Sequence, residues 1–152
     1  MSRNRAAVLK FKRLRPGARL PRRATEGSSG LDLFACLEPP SFPGSLDLGP
    51  DPVLVPTGVA LEVPPGYDVQ VRPRSGLSVQ GVGVAFGTID SDYRGEVLVT
   101  MYTFGRRRRF RVRHGDRIAQ LVIAPVAQLE VEEAQDLSPT ERGPGGHGST
   151  GR

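Results

Sequence analysis

A chain of 152 residues is long enough for one domain with its own core, and its 19 glycines and 14 prolines suit short strands and turns better than a helical bundle. No run approaches the roughly 18 apolar residues of a membrane-spanning helix, and the basic start lacks the apolar stretch of a secretory signal. The net charge of +5 is unevenly spread: residues 1–23 hold nine Lys or Arg and no acid, and residues 106–117 hold seven Arg against one Asp.

Period-two alternation predicts an opening strand over residues 8–11. Asp32 then sits between Leu31 and Leu33, so in a strand it points away from the face the leucines occupy. Cys36 is the single cysteine and has no intramolecular disulfide partner, which favours a reducing compartment; Phe34 and Leu37 beside it predict a buried thiol. Residues 53–55 and 59–63 read as strands, and a turn at Pro64-Pro-Gly66 predicts a hairpin to a strand over 68–72. At most one helical turn fits, over 77–80. A long strand over 96–104 turns through Gly105 and Arg106–Arg109 to a strand over 110–113, which makes the four arginines an exposed hairpin tip. Such clustered charge also suits an anionic partner, although no aromatic is interleaved with the arginines. His114-Gly-Asp116 is a further turn, 117–124 a largely buried strand, and 128–132 the last strand. The expected fold is all-β, a sandwich or closed barrel over residues 1–134. A linker over 135–146 leads to a glycine-rich arm, so residues 135–152 form a second, mobile unit.

Three loops and the arm carry polar chemistry. Arg72-Pro-Arg-Ser-Gly-Leu77 offers Arg74 and Ser75 as phosphate donors, or is an ordinary turn with a surface arginine. Gly87-Thr-Ile-Asp-Ser-Asp-Tyr-Arg-Gly95 places Asp90 and Asp92 two apart; if extended, both project to one side, and one could orient a water. It lacks the ligand series of an EF-hand. Five of the last ten residues are glycine, and Arg142, Ser149, Thr150 and Arg152 supply donors that could close on a polyphosphate. A disordered terminus is the plain alternative.

Taken in order, Ser29-Gly-Leu-Asp-Leu33, Pro73-Arg-Ser-Gly76, Gly87-Thr-Ile-Asp-Ser-Asp-Tyr-Arg-Gly95, Gly115-Asp-Arg-Ile-Ala-Gln120 and Arg142-Gly-Pro-Gly-Gly-His-Gly-Ser-Thr150 resemble the five motifs of the trimeric dUTPase family. The resemblance covers residues 8–152. It implies a distorted, jelly-roll-like β-barrel, a homotrimer with active sites at subunit interfaces, and a C-terminal arm exchanged between subunits. It also implies hydrolysis of dUTP to dUMP and pyrophosphate, with Mg²⁺ held by the substrate phosphates and waters.

Carried over by motif, Asp90 activates the water that attacks the α-phosphorus, since an ionised carboxylate can take its proton. Tyr93 packs under the deoxyribose and excludes a 2′-hydroxyl. The segment from Val84 to Ile89, including Gly87 and Thr88, reads the uracil edge through backbone groups. Arg74, Ser75, Gly76 and Gln120 hold phosphate oxygens, joined on arm closure by Arg142, Gly148, Ser149 and Thr150. Asp32 supports Arg74 or lies near the metal without ligating it. His147 stands where the family usually has a phenylalanine stacked on uracil. The composition leads us to expect an intracellular protein, cytoplasmic or nuclear, with neither membrane nor nucleic acid as partner. Competing readings are a dCTP deaminase of the same fold, a catalytically inactive dUTPase-like signalling or scaffold protein, and a nucleic-acid-binding module.

Overall fold

The structure, a computed structural model, describes residues 7–146. Ten strands form: β1 (Lys10–Arg13), β2 (Leu31–Phe34), β3 (Ser45–Leu48), β4 (Val53–Glu62), β5 (Tyr67–Arg72), β6 (Val82–Val84), β7 (Gly87–Ile89), β8 (Glu96–Thr103), β9 (Phe110–Arg113) and β10 (Arg117–Pro125), with one helical turn, α1 (Ser75–Ser78). Two four-stranded sheets, ordered β1-β4-β8-β6 and β2-β10-β5-β7, are joined by the small sheet β3-β9. All the pairings are antiparallel. The all-β, jelly-roll-like expectation holds.

Alternation explains the enclosure. In β8, Val97, Val99, Met101 and Thr103 are buried while Leu98 is exposed. In the facing sheet Leu33, Val69, Val71, Ile118 and Leu121 meet them in one core. Cys36 is buried there as a free thiol. β4 needs an irregularity to stay paired over ten residues: its register against β8 shifts between Pro56 and Ala60, and Gly58 takes φ +70° in between. That turn of the backbone aims the Gly58 N–H at the Glu96 carboxylate, 2.7 Å away.

Several local expectations are corrected. β1 starts two residues later than the alternation suggests, and the helical turn starts at Ser75 rather than Leu77. The two strands expected over 53–55 and 59–63 are one bulged strand, Val53–Glu62. β4 and β5 do not form a hairpin but lie in different sheets. Consecutive prolines at 64 and 65 donate no ladder bonds, and Gly66 at φ +83° redirects the chain across the core. β8 and β9 likewise part, because β9 pairs β3, so the four arginines lie on a crossover loop rather than a hairpin tip. β6 and β7 are also not paired with each other: β6 joins β8 and β7 joins β5. Residues 128–132 form no strand and pair with no strand among the described residues, and Leu129 and Val131 are 85% and 100% exposed.

Candidate active site

The expected site residues fall into two groups. The first is knitted from the ends of β2, β5 and β10. Because β10 lies between β2 and β5, Gln120 is opposite both Asp32 and Arg72. Its amide Nε2 donates to Pro73 O at 3.0 Å, fixing the loop that carries Arg74, Ser75 and Gly76. Gln120 Oε1 lies so near Gly30 that a Cβ there would collide with it, which accounts for glycine at that position. The Asp32 side chain is only 13% exposed and is shared by two guanidinium groups, Arg74 Nε at 3.3 Å and Arg117 Nη1 at 3.5 Å. Arg74 Nη1 also donates to Arg117 O at 3.0 Å. Asp32 therefore faces Arg74 and Arg117 rather than open solvent.

Two guanidinium groups against one carboxylate leave a net positive charge where Ser75 and Gly76 are exposed. A Cβ on Gly76 would meet nothing within 4 Å. Packing within the chain does not require glycine there, whereas close approach of a ligand to the backbone would. The set suits binding of phosphate oxygens by charge-assisted bonds.

The second group surrounds a cleft of about 220 Å³ walled by Val71, Gly87, Thr88, Ile89, Asp90 and Tyr93. β7 forms one wall because Gly87, Thr88 and Ile89 pair with Val71, Gln70 and Val69 of β5. The chain then turns sharply, with Tyr93 N donating to Asp90 O at 3.1 Å. This corrects the extended reading: Asp90 and Asp92 do not alternate along a strand. Asp90 lines both the cleft and a larger outer depression of about 750 Å³, whereas Asp92 lines only the depression. The turn thus separates two carboxylates that the sequence leaves equivalent.

Tyr93 is pinned from behind. Its Oη donates to Glu96 O at 2.9 Å, and its ring end occupies the space that a side chain on Gly95 would need. Glu96 is anchored in turn, accepting from Gly58 N and from two nitrogens of Arg15, one of them Nη1 at 3.1 Å. The Glu96 carboxylate raises the pKa of the Arg15 guanidinium. Sequence reasoning missed Arg15 and Glu96. Only the glutamate's position directly after the third motif hinted at a role. It also missed Arg117, although that residue lies inside the fourth motif.

The cleft lining contains none of Arg74, Ser75, Gly76 or Gln120, so a single chain does not bring the two groups into that one space. Arg142 is exposed and bonds Gly145 O at 2.8 Å through Nε. His147, Gly148, Ser149 and Thr150 lie outside the described residues. No group of three or more His, Cys, Asp or Glu able to hold a metal occurs among the described residues. No helix there is long and apolar enough to cross a membrane.

A family model for dUTPase matches residues 17–151. The chain is 53% identical over 140 residues to a deoxyuridine 5′-triphosphate nucleotidohydrolase of Anaeromyxobacter sp. (strain Fw109-5), covering 90% of each chain. It is 51% identical over 135 residues to that of Desulfotalea psychrophila, covering 87% of each. Among solved structures, it resembles the dUTPase of Staphylococcus bacteriophage 80alpha with dUPNHPP, with TM-score 0.82 and 28% identity over 95% of this chain and 99% of that one.

Proposed function

The chain belongs to the dUTPase family, and on that premise we propose that it hydrolyses dUTP to dUMP and pyrophosphate. A water attacks the α-phosphorus, Asp90 accepts its proton, and the bond from that phosphorus to the bridging oxygen breaks as pyrophosphate leaves. The observation that carries this reading is the position of Asp90, which lines both the smaller cleft and the larger depression beside it. A base and sugar held in the cleft would leave the phosphate chain emerging past that carboxylate.

The other roles are those that the family resemblance implies. Tyr93, whose Oη donates to Glu96 O, packs under the deoxyribose and leaves no room for a 2′-hydroxyl. Gly87, Thr88 and Ile89 present backbone groups to the uracil edge. Arg74, Ser75, Gly76 and Gln120 bind phosphate oxygens, and Asp32 holds Arg74 in place. Arg142, His147, Gly148, Ser149 and Thr150 belong to an arm, residues 135–152, that closes over the substrate and excludes water. Separation of the two residue groups within one chain supports a homotrimer whose sites combine residues of neighbouring subunits.

Mg²⁺ suits this donor set only as a passenger on the substrate. Asp32, the acid nearest the phosphate-binding loop, already serves two guanidinium groups. The ion would neutralise charge on the phosphate oxygens, while the residues named above position the chain and the water. An intracellular setting accords with the buried free Cys36. The test is pyrophosphate release from dUTP, dTTP, dCTP and UTP by wild type and Asp90→Asn. Turnover of dUTP alone, lost in the variant, is expected; deamination of dCTP or an active variant would overturn the assignment.

A further inference from the structure

The crossover from β8 to β9 carries Arg106, Arg107, Arg108 and Arg109, all exposed and unused by the reaction above. They form one side of a groove of about 580 Å³, with Phe104, Val79 and Gly81 among the residues that complete it. Two of the arginines are committed. Arg107 Nε donates to Gln80 O across the groove, and its guanidinium lies 5.7 Å from the Phe110 ring centroid. Arg109 shares Asp47 with Arg111. Arg106 and Arg108 have no hydrogen-bonded or ion-paired partner among the described residues.

The groove also holds apolar surface. Phe104 is 47% exposed and Val79 90% exposed. Phe104 is held in place from below. Its N–H donates to Gly81 O at 2.9 Å, and Tyr102 packs at a tilt 6.5 Å from its ring. Read linearly, the arginine run contains no aromatic. Phe104 lies two residues before that run, and the fold draws the end of β8 and the α1–β6 turn together so that its ring and the arginines line one groove. A half-exposed ring beside unpaired guanidinium groups is the pairing that binds unpaired bases and their phosphates.

We propose that this groove docks single-stranded nucleic acid, with a base stacked on Phe104 and neighbouring phosphates on Arg106 and Arg108. Arginine suits the role because its planar fork meets phosphate oxygens in pairs. A duplex keeps its bases paired and offers no free face to the ring. An anionic membrane offers phosphates to the arginines but no base to stack on Phe104. The proposal does not rest on the hydrolytic assignment.

The test is fluorescence anisotropy of the full-length protein with labelled deoxythymidine and uridine oligomers over a salt series starting at about 50 mM. Binding of both oligomers should weaken with rising salt. Arg106→Gln with Arg108→Gln should flatten the slope of log K against log salt by about 1.4, at roughly 0.7 for each phosphate no longer neutralised. Phe104→Ala should weaken binding about tenfold and leave the slope unchanged. Unchanged melting temperature and dUTP turnover in both variants would show that the fold is intact. No binding at the lowest salt, equal affinity for a duplex of the same length, indifference to Phe104→Ala, or equal binding to anionic phosphatidylserine vesicles would each overturn the proposal.

Discussion

Replacing Arg15 with methionine tests whether the back wall of the cleft is held by charge. The Arg15 and Glu96 side chains are 27% and 21% exposed, neither fully buried nor free in solvent. A buried ion pair that loses one partner costs about 3–5 kcal/mol, and an exposed pair is worth about 0–1 kcal/mol. With Gly58 N left as its remaining donor, the Glu96 carboxylate should fall between these limits, near 2 kcal/mol. Loss of the guanidinium that lies 5.6 Å from the Phe42 ring centroid acts in the same direction. At about 2–4 °C per kcal/mol for a chain of this size, calorimetry should show the melting temperature lowered by roughly 4–8 °C. Arg15→Met with Glu96→Gln removes both charges and leaves an amide oxygen for Gly58 N. The double variant should therefore be more stable than the sum of the single changes predicts, by about 1 kcal/mol. Because Tyr93 Oη bonds the Glu96 backbone, Arg15→Met should also raise KM for dUTP more than it lowers kcat. A melting temperature within a degree of wild type, or strict additivity in the double variant, would refute the reasoning.

Gly95→Ala places a methyl where the Tyr93 ring end now lies; the exposed tyrosine swings aside, so stability should change by under about 1 kcal/mol while discrimination between dUTP and UTP, measured as a ratio of kcat/KM values, falls. Gly58→Ala has no such escape: φ is +70°, and the new carbon would sit 2.7 Å from Ala18 Cβ and 2.9 Å from Cys36 Sγ. Left-handed strain and overpacking together predict a loss of about 3 kcal/mol, read as a lower urea midpoint at unchanged slope. The Arg111 side chain, with Arg109, lowers the Asp47 pKa from 3.8 to about 2. The folded value is depressed, so the stabilisation is fully present above about pH 4 and lost as pH falls through 2. Asp47→Asn should accordingly separate from wild type in thermal melts at pH 6 and converge with it near pH 2. His147→Phe should lower KM for dUTP with little change in kcat, since a phenyl ring offers more apolar stacking area than imidazole; a raised KM would count against stacking at that position.

Legibility in the sequence followed the range over which each feature is determined. β8 was readable because inward and outward positions alternate along it, and β10 because its run of apolar residues is nearly continuous. β3 was missed: only four residues long and set among prolines and glycines, it owes its existence to β9, 62 or more residues away along its paired positions. The failed hairpins have a common cause. A turn signal says where the chain bends, while the choice of sheet depends on which face of the next strand the core accepts. The motif residues were individually visible, yet the sharing of Asp32 by Arg74 and Arg117, and the chain from Arg15 through Glu96 to Tyr93, join segments whose spacing in sequence carries no distance. Residues 128–132 present the opposite case, for their alternation is plain and no strand forms. Leu129 and Val131 remain exposed, so a pattern suited to pairing has no partner among the described residues. A periodic segment states what it can bury and leaves open against which molecule, and this one fits the proposed exchange of the arm between subunits. If so, the part of the sequence that looked like a failed strand encodes the assembly rather than the fold.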